Sequence, residues 1–358
     1  MSDKEYAEPN RNKMPVFRRK EREVSLSSLV KSGYLPETDN FPLVVEPATP
    51  GVNLAQWATG AGEYLERELL RHGAILFRGF GVEKAEGFES VARAISPQLL
   101  DYRERSSPRS EISNGIYTST DHPASQYIHF HNEQSYARRW PMKLYFFCLQ
   151  PAEQGGATPI ADGRRVLSLI PSDVKEKFKQ KKVLYLRNYG SGFGLSWQTA
   201  FQTTQKSEVE SYCRQSAIDF EWTGEDKLRT RQIFRNVEVH PKTGEETWFE
   251  HAAFFHVSSL EPLIRAALLA EFKEEDLPSN TYYGDGTPIE PAALESIREA
   301  YRRASVAFPW QQRDLLLIDN MLVSHSREPY RGARKVLVAM AELYSPPATD
   351  PVSDTFNQ

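Results

Sequence analysis

Apolar residues recur at intervals of three and four in three parts of the chain, which is the spacing of an amphipathic helix. These parts also carry residues suited to helix ends, such as asparagine or serine at the start and glycine at the end. The predicted helices are residues 53–72 with Asn53 as N-cap and Gly73 at the end, 260–272 with Ser259 as N-cap, and 291–304 with Pro291 in the first turn.

Short apolar runs bounded by turn residues predict strands. They are residues 74–77, 127–131, 143–149, 183–187, 247–249, 314–318 and 335–340. Strands along the whole chain, with helices near its start and in insertions, indicate a mainly β protein of the α+β class, built on a β-sandwich or jelly roll. No G-x-G-x-x-G motif follows a strand, so a Rossmann enzyme is disfavoured.

Composition narrows the class of protein further. The chain has 358 residues, of which 40% are hydrophobic and 11% aromatic, so it is long enough to bury a sizeable core. A formal net charge of −4 gives no sign of a nucleic-acid or anionic-membrane partner. Cys148 and Cys213 lie far apart and outside any C-x-x-C pair, which argues against a zinc ribbon and a disulfide framework.

The N-terminus differs from the rest of the chain. Residues 1–25 are polar and charged, and we expect a flexible or peripheral arm followed by a single domain over residues 26–358. The N-terminus contains no apolar segment typical of a signal peptide, and no run of 18 apolar residues occurs. The sequence therefore predicts a cytoplasmic protein without a membrane partner.

The strongest chemical signal is the run Ile128-His-Phe-His-Asn-Glu133. Alternate side chains of a strand point to one face, so His131 and Glu133 are predicted to approach one ion together. His325, after a predicted buried strand, is the candidate third ligand. Two histidines and one carboxylate form the facial triad of non-haem Fe(II) oxygenases, which leaves coordination positions open. A cupin-type site that uses His129 with His131 is the alternative.

Two further segments are suited to binding a carboxylate. Arg334 begins an apolar strand, where its guanidinium can pair bidentately with a carboxylate; Arg327 and Arg331 are competing candidates. In Gly155-Gly-Ala-Thr158-Pro, the glycines permit a tight turn and Thr158 offers a hydroxyl to the same carboxylate. Such a pair fits the distal carboxylate of 2-oxoglutarate.

The order H-x-E, G-G-x-T-P, D-N-x-x-x-x-H and a later arginine resembles the taurine dioxygenase (TauD/TfdA) superfamily over about residues 70–342. Within it, the chain resembles the SyrP-like hydroxylases of syringomycin biosynthesis. The segments that carry this resemblance are residues 114–120, 131–136, 146–152, 155–162, 197–203, 254–256, 280–285 and 319–325. The resemblance implies a double-stranded β-helix core, Fe(II), 2-oxoglutarate and O₂.

The same resemblance assigns roles to particular residues. It implies metal ligation by His131, Glu133 and His325, and 2-oxoglutarate contacts by Thr158 and Arg334. A carboxylate at position 133 favours hydroxylation over chlorination, because halogenases of this family lack that ligand. Glutamate replaces the more common aspartate there, as in the clavaminate-synthase-like branch.

The resemblance further implies a small-molecule substrate, either a free amino acid or an aminoacyl group on a peptidyl-carrier protein in natural-product biosynthesis. The polar candidates for the substrate pocket are Asn114, Arg231, Gln232, His251 and His256. Glu250 departs from the neutral amide expected in the branch before the histidine. A non-catalytic binding or regulatory protein on the same fold is the remaining alternative, which the complete triad and Arg334 disfavour.

Overall fold

The computed structural model describes residues 26–101, 110–113, 115–119, 122–190 and 194–347. The predicted N-terminal arm, residues 1–25, lies outside the described residues, as does the end of the predicted domain. The helices are α1 (Leu54–Gly60), α2 (Gly62–His72), α3 (Ala85–Ile95), α4 (Gly163–Leu169), α5 (Ser172–Lys181), α6 (Trp197–Phe201), α7 (Lys206–Gln215), α8 (Ala252–Phe255), α9 (Pro262–Glu271) and α10 (Pro291–Ala304), with 3₁₀ turns at Leu26–Ser28, Val257–Ser259 and Glu274–Asp276.

Strands outnumber helices in this part of the chain. They are β1 (Val30–Tyr34), β2 (Leu43–Pro47), β3 (Ala74–Phe77), β4 (Glu111–Ser113), β5 (Ile116–Thr118), β6 (Ile128–His131), β7 (Trp140–Gln150), β8 (Gln154–Gly155), β9 (Ile160–Asp162), β10 (Val183–Tyr189), β11 (Asp219–Gly224), β12 (Lys227–Phe234), β13 (Val237–Val239), β14 (Glu246–Trp248), β15 (Ser279–Tyr283), β16 (Ser305–Val306), β17 (Leu315–Asp319), β18 (Val323–Arg327), β19 (Tyr330–Arg331) and β20 (Lys335–Tyr344).

Two sheets form the core of the fold. As far as the chain is described, the larger sheet has the strand order β1-β2-β3-β17-β7-β20-β5-β4, and the smaller has the order β16-β9-β18-β6. Every neighbouring pair is antiparallel except β2 and β3. Apolar side chains of the two sheets pack together, including Phe146, Ile160 and Val338. This confirms the mainly β architecture and the predicted jelly-roll, or double-stranded β-helix, core.

Both outer faces of this sandwich are covered by helices. On the larger sheet, Leu315 and Leu317 pack beneath α1, α2 and α3, while Leu316 and Ile318 face the smaller sheet. This alternation follows the two-residue period of a strand that is buried on both faces. The outer face of the smaller sheet packs against α4 and α10. The helices thus cover the faces that point away from the space between the two sheets.

A third sheet, in the order β11-β12-β10-β15, lies outside the jelly roll among the described residues and packs with α6 and α7. No helix in the described residues has both the length and the apolar composition needed to cross a membrane.

The predicted helix over residues 53–72 is two helices. Asn53 caps α1 as expected, accepting a hydrogen bond from the Gln56 amide, and Gly73 ends α2 with a φ of 74°. Between them Ala61 leaves helical geometry, flanked by Gly60 and Gly62. Glycine has low helix propensity, so this pair is a favourable place for the break.

The predicted N-cap of the helix after residue 260 is also wrong. Ser259 ends a 3₁₀ turn, and α9 begins with Pro262 in its first turn after Glu261. Proline at the first helical position explains this start, because its ring presets φ and its missing amide would have no partner there. Helix α10 has the predicted bounds, residues 291–304.

Candidate metal centre

Two of the predicted metal ligands are brought together by strand pairing. His131 ends β6, and His325 lies in the middle of the neighbouring antiparallel strand β18. The two residues are directly opposite in the register, and their ring centroids lie 4.3 Å apart. Directly opposed side chains of an antiparallel pair share one face at short distance. The sheet therefore brings together two histidines that are separated by almost two hundred residues.

Glu133 reaches the same place by a different route from the one predicted. Strand β6 ends at His131, and Glu133 lies in the turn that follows, next to Gln134 with a φ of 56°. Strand alternation therefore does not place this carboxylate. The turn places Glu133 nevertheless beside both histidines, because one ligand atom from each of the three residues lies within 4.8 Å of the others.

The three side chains suit a metal ion. All three residues are buried, and Glu133 is only 1% exposed. The Nδ1 atom of His131 lies 2.8 Å from the carbonyl oxygen of His129, so Nδ1–H donates to that carbonyl. This hydrogen bond leaves Nε2 unprotonated and fixes the ring, which is the usual arrangement of a metal-binding histidine. Ligand atoms this close together could hold one shared ion.

His129, the additional ligand of the cupin alternative, is engaged elsewhere. Its Nε2 atom lies 3.2 Å from the carbonyl oxygen of Ser259. It does not belong to the group of metal-ligating side chains that the described residues bring together. The arrangement therefore favours one histidine and one carboxylate from this segment over two histidines.

A cavity of about 690 Å³ opens beside His131 and His325, between the two sheets. Its inner end includes His131 and His325 together with Phe146, Val336 and Val338 of the larger sheet. Its outer part is formed by the segment from Phe254 to Leu268, which includes one side of α9. The cavity is large enough for 2-oxoglutarate and a second small molecule.

Arg334 and Thr158 meet at one wall of this cavity. The guanidinium of Arg334 donates from Nε to the carbonyl of Gly156 at 2.9 Å, from Nη2 to Thr158 Oγ1 at 3.2 Å and from Nη1 to Ser119 Oγ at 3.4 Å. Trp310 Nε1 also donates to Thr158 Oγ1, at 3.0 Å. Since this oxygen already accepts two hydrogen bonds, the Thr158 hydroxyl proton is directed to another acceptor.

The charge of Arg334 is poorly compensated by the protein. Burial, with the nearby charge of Arg327, lowers the pKa of Arg334 to about 10. In the part of the chain that the structure describes, no carboxylate lies within ion-pair distance of this guanidinium. An anionic ligand would restore that balance, because a buried charge is costly unless it is paired.

The turn at Gly155 and Gly156 makes this wall possible. Both glycines have positive φ, 67° and 71°, and a Cβ on Gly155 would collide with the Pro329 carbonyl. The turn directs the Gly156 carbonyl toward Arg334 and leads the chain to Thr158. This agrees with the local role that the sequence predicted for the two glycines.

The competing arginines have other contacts. Arg327 is buried and donates to the carbonyls of His122, Pro123 and Gln126, so it secures that loop at the cavity wall. Arg331 lies exposed on β19. Of the three candidates, Arg334 has the geometry best suited to a carboxylate ligand.

The candidate substrate residues are dispersed. Asn114 lies outside the described residues. Arg231 on β12 pairs with Asp219 and Glu221, and neither it nor Gln232 is among the described residues that line the cavity. Their position on the third sheet explains this, since that sheet lies outside the jelly roll.

The two histidines around α8 have different positions. His251 is fully buried behind His131, with ring centroids 4.7 Å apart, and its Nδ1 contacts the carbonyl of Asn132. His256 does line the cavity. Its Nδ1 accepts hydrogen bonds from the Ser258 amide and from the Ser258 hydroxyl, which itself accepts from Arg298. The proton of neutral His256 is therefore on Nε2.

Glu250 is buried and outside the cavity. Its carboxylate accepts a hydrogen bond from the Ala253 amide at 2.9 Å, and its other oxygen lies 3.1 Å from the Tyr301 hydroxyl. Burial raises its pKa, against the opposing effect of these hydrogen bonds. The glutamate thus secures the start of α8 against α10 and does not contact the substrate side of the cavity.

Sequence reasoning missed some contributors to the site. Trp310 and Ser119 hold the Thr158 and Arg334 side chains, and Ile264 and Leu268 of α9 form part of the outer wall. A helix over this segment was predicted, but its amphipathic pattern gives no information on which cavity it covers. Asn320, in the quoted D-N segment, contacts the Glu133 backbone, a role its sequence position does not reveal.

Comparison with known proteins agrees with this geometry. Residues 39–340 match the family described as taurine catabolism dioxygenase TauD, TfdA family. The dapdiamide synthesis protein DdaC of Enterobacter agglomerans is 42% identical over 286 residues, covering 80% of this chain and 87% of DdaC. A clavaminate synthase-like protein of Arabidopsis thaliana is 28% identical over 324 residues, covering 86% and 95% of the two chains.

The fold also matches a solved structure. The crystal structure of PvcB from Pseudomonas aeruginosa aligns with a TM-score of 0.52 at 18% identity, covering 92% of this chain and 94% of that one.

An enzyme of the jelly-roll oxygenase class is therefore defined by the fold and the site together. The chain belongs to the TauD, TfdA family and is a 2-oxoglutarate-dependent dioxygenase. The sequence resemblance to this family is confirmed. The enzyme therefore uses Fe(II) as its cofactor and 2-oxoglutarate and O₂ as co-substrates.

Proposed function

We propose that His131, Glu133 and His325 hold the Fe(II) of this dioxygenase and that the enzyme hydroxylates an unactivated C–H bond of an amino acid or aminoacyl group. The observation that carries the proposal is the convergence of the three buried ligand atoms within 4.8 Å, with both histidines lining one cavity. Three ligands on one face leave positions for a 2-oxo acid and for O₂.

Arg334 and Thr158 bind the distal carboxylate of 2-oxoglutarate in this proposal. The guanidinium presents two Nη donors near hydroxyl oxygens, and the Thr158 hydroxyl has a proton to donate. A carboxylate at this wall would neutralise Arg334 and accept from both side chains. The 2-oxo acid end would then extend along the cavity toward His131 and His325.

Bound Fe(II) supplies the redox chemistry: 2-oxoglutarate and O₂ are converted to succinate and CO₂, while one oxygen atom enters the C–H bond of the substrate. The chain's own residues orient the reactants and exclude water. Phe146, Val336 and Val338 make the inner cavity apolar, and Phe254 packs over His131 with ring centroids 5.3 Å apart.

The outer half of the cavity receives the substrate. Its wall is largely apolar, with Ile264, Leu268 and Leu277. His256 supplies a neutral Nε2–H donor at this wall, because its tautomer is set by Ser258. A substrate with an aliphatic side chain and a carboxyl-derived oxygen has complementary chemistry.

A role in natural-product biosynthesis, with the aminoacyl group free or attached to a peptidyl-carrier protein, is supported by the relative that is 42% identical, a dapdiamide synthesis protein. The family match spans residues 39–340, and we propose that residues 26–358 form one catalytic domain.

The test is anaerobic titration of the full chain with Fe(II) and 2-oxoglutarate, followed by aerobic incubation. Free amino acids and carrier-bound aminoacyl groups would be screened for the gain of one oxygen atom. We expect Fe(II) retention, succinate formation and an oxygenated product. Replacing His325 with alanine should abolish all three.

His72 provides a matched control, because it is a partly buried histidine on α2 that pairs with Glu68 away from the cavity. His72→Ala should retain Fe(II) and form succinate at the wild-type rate. Retention of Fe(II) by the His325→Ala variant at wild-type affinity would contradict the ligand assignment. Succinate formation without an oxygenated product from any amino acid would contradict the substrate class.

A further inference from the structure

Glu133 is held without the support of a strand. Strand β6 stops at His131, so the ladder that aligns His131 with His325 does not extend to the carboxylate. A residue in a turn would normally have more freedom than one in a sheet. Yet a metal site requires this side chain to keep a fixed position relative to the two histidines.

The side-chain amide of Asn320 replaces the missing strand partner. Its Oδ1 accepts a hydrogen bond from the Glu133 amide at 2.8 Å, and its Nδ2 donates to the Glu133 carbonyl at 2.9 Å. Nδ2 also donates to the carbonyl of Pro141 at 2.9 Å. A primary amide offers the same donor and acceptor as a peptide group, so it pairs with both backbone groups of one residue as an adjacent strand would.

Asn132 makes the converse contact, from its side chain to the backbone of Asn320. Its Nδ2 donates to the backbone carbonyl of Asn320 at 2.7 Å, and its Oδ1 accepts from the Glu250 amide at 3.2 Å. Asn132 and Asn320 are both fully buried. Asn132 and Glu133, which follow β6, are therefore joined to the loop after β17 by several hydrogen bonds that are shielded from water, where such bonds are most effective.

Asn320 is itself held firmly. Its amide donates to the Met142 carbonyl at 2.8 Å, and the preceding Asp319 accepts from the amides of Met321 and Leu322. The other carboxylate oxygen of Asp319 lies 3.1 Å from His240 Nε2. This loop leads within five residues to His325. One rigid loop thus connects the strand of one histidine to the backbone of the carboxylate.

We propose that Asn320 is a positioning residue for the metal centre, which fixes the Glu133 backbone so that its carboxylate meets His131 and His325 in one geometry. The inference rests on the proposed ligand set. Asparagine alone combines the required donor and acceptor at this length. Aspartate lacks the donor, alanine lacks both groups, and glutamine is longer by one methylene.

The experiment measures metal binding as well as stability. Metal-free wild-type protein and the Asn320→Ala and Asn320→Asp variants would be titrated anaerobically with Fe(II) and, separately, with Co(II), whose visible spectrum reports ligand geometry. Residues that orient metal ligands typically change affinity by about 10- to 100-fold when mutated. In both variants we expect the affinity for Fe(II) and for Co(II) to fall by that factor, and the Co(II) spectrum to differ from that of the wild-type protein.

Asn188 is the matched control. It is also buried and its side chain also makes three hydrogen bonds, to the carbonyls of Glu275 and Leu277 and from Arg229. Asn188→Ala should lower the Tm comparably to Asn320→Ala while leaving the metal Kd and the Co(II) spectrum unchanged. A purely structural role for Asn320 would make the two variants equivalent in every measurement.

The outcomes separate the two proposals. Metal affinity of the Asn320 variants within about twofold of wild type, or an equal loss in Asn188→Ala, would overturn the positioning role while leaving the ligand set intact. Failure of the wild-type protein to bind Fe(II) would instead overturn the proposed function and the inference with it. If Asn320→Ala does not fold, the nearly isosteric Asn320→Asp variant decides.

Discussion

Replacing Arg334 should weaken the binding of 2-oxoglutarate far more than it slows the reaction at saturation. In wild type, Nε is occupied by the Gly156 carbonyl, which aims Nη1 and Nη2 at Ser119 and Thr158. A hydrogen bond between charged groups contributes about 1.5–3 kcal/mol. Arg334→Lys keeps the charge and loses one such bond, so its KM for 2-oxoglutarate should rise roughly 10- to 150-fold. Arg334→Gln, which also loses the charge, should be affected more strongly.

The assay is succinate formation as a function of 2-oxoglutarate concentration, with Fe(II) held in excess. Arg331→Gln is the control, because Arg331 is exposed on β19 and was the competing candidate. It should leave KM unchanged. A wild-type KM for Arg334→Gln, or a raised KM for Arg331→Gln, would refute the assignment of the carboxylate site. A fall in kcat at unchanged KM would indicate that Arg334 acts on a later step.

Three further predictions concern histidine and glutamate side chains. His129→Ala should keep its Fe(II) Kd within about twofold of wild type, since His129 contacts Ser259; a large loss would favour the cupin arrangement. Burial and the charges of Arg298 and Arg265 lower the pKa of His256 to about 4. NMR of the imidazole nitrogens should therefore show a neutral ring, with its proton on Nε2, from pH 8 to pH 5.5. Protonation of the ring near pH 6.5 would contradict this prediction. Burial raises the pKa of the Glu250 carboxyl group, so this group keeps its proton in the folded protein at pH values where it has lost it in the unfolded chain. The free energy of unfolding therefore falls as the pH rises above the ordinary glutamate range. The Tm of Glu250→Gln minus the Tm of wild type should therefore be larger at pH 8 than at pH 5. A Tm difference that does not change with pH would count against this prediction.

The candidate ligand motif could be recognised in the sequence because facial-triad chemistry needs few residue types at characteristic positions. His131, Glu133 and His325 were predicted as ligands, and the structure brings them together. The reason given for Glu133, strand alternation, was wrong, because Glu133 lies in a turn held by Asn320 and not on the strand. Such a contact joins residues far apart in sequence, and no local pattern encodes it.

The most deeply buried strands, such as β3, β7 and β17, were predictable from their apolar runs, whereas the more exposed β1 and β11 were not predicted. The residues that line the substrate side of the cavity were not predictable in this way. Arg231 and Gln232 were chosen for polarity, yet they belong to the third sheet, whose location depends on tertiary packing. The outer wall of the cavity comes instead from α9, where polarity gave no signal. Specificity residues are identified by position in space, which sequence composition does not provide.

The last strand, β20, occupies the interior of the larger sheet, between β7 and β5. During translation, β7 leaves the ribosome roughly 185 residues before β20, one of its two neighbouring strands, is made. At about 5–20 residues per second this gap lasts on the order of 10–40 s. Strand β7 is long and largely apolar, and a strand of this kind without its partners is prone to aggregation. We therefore expect the yield of this enzyme in a cell to depend on chaperones that shield the growing chain.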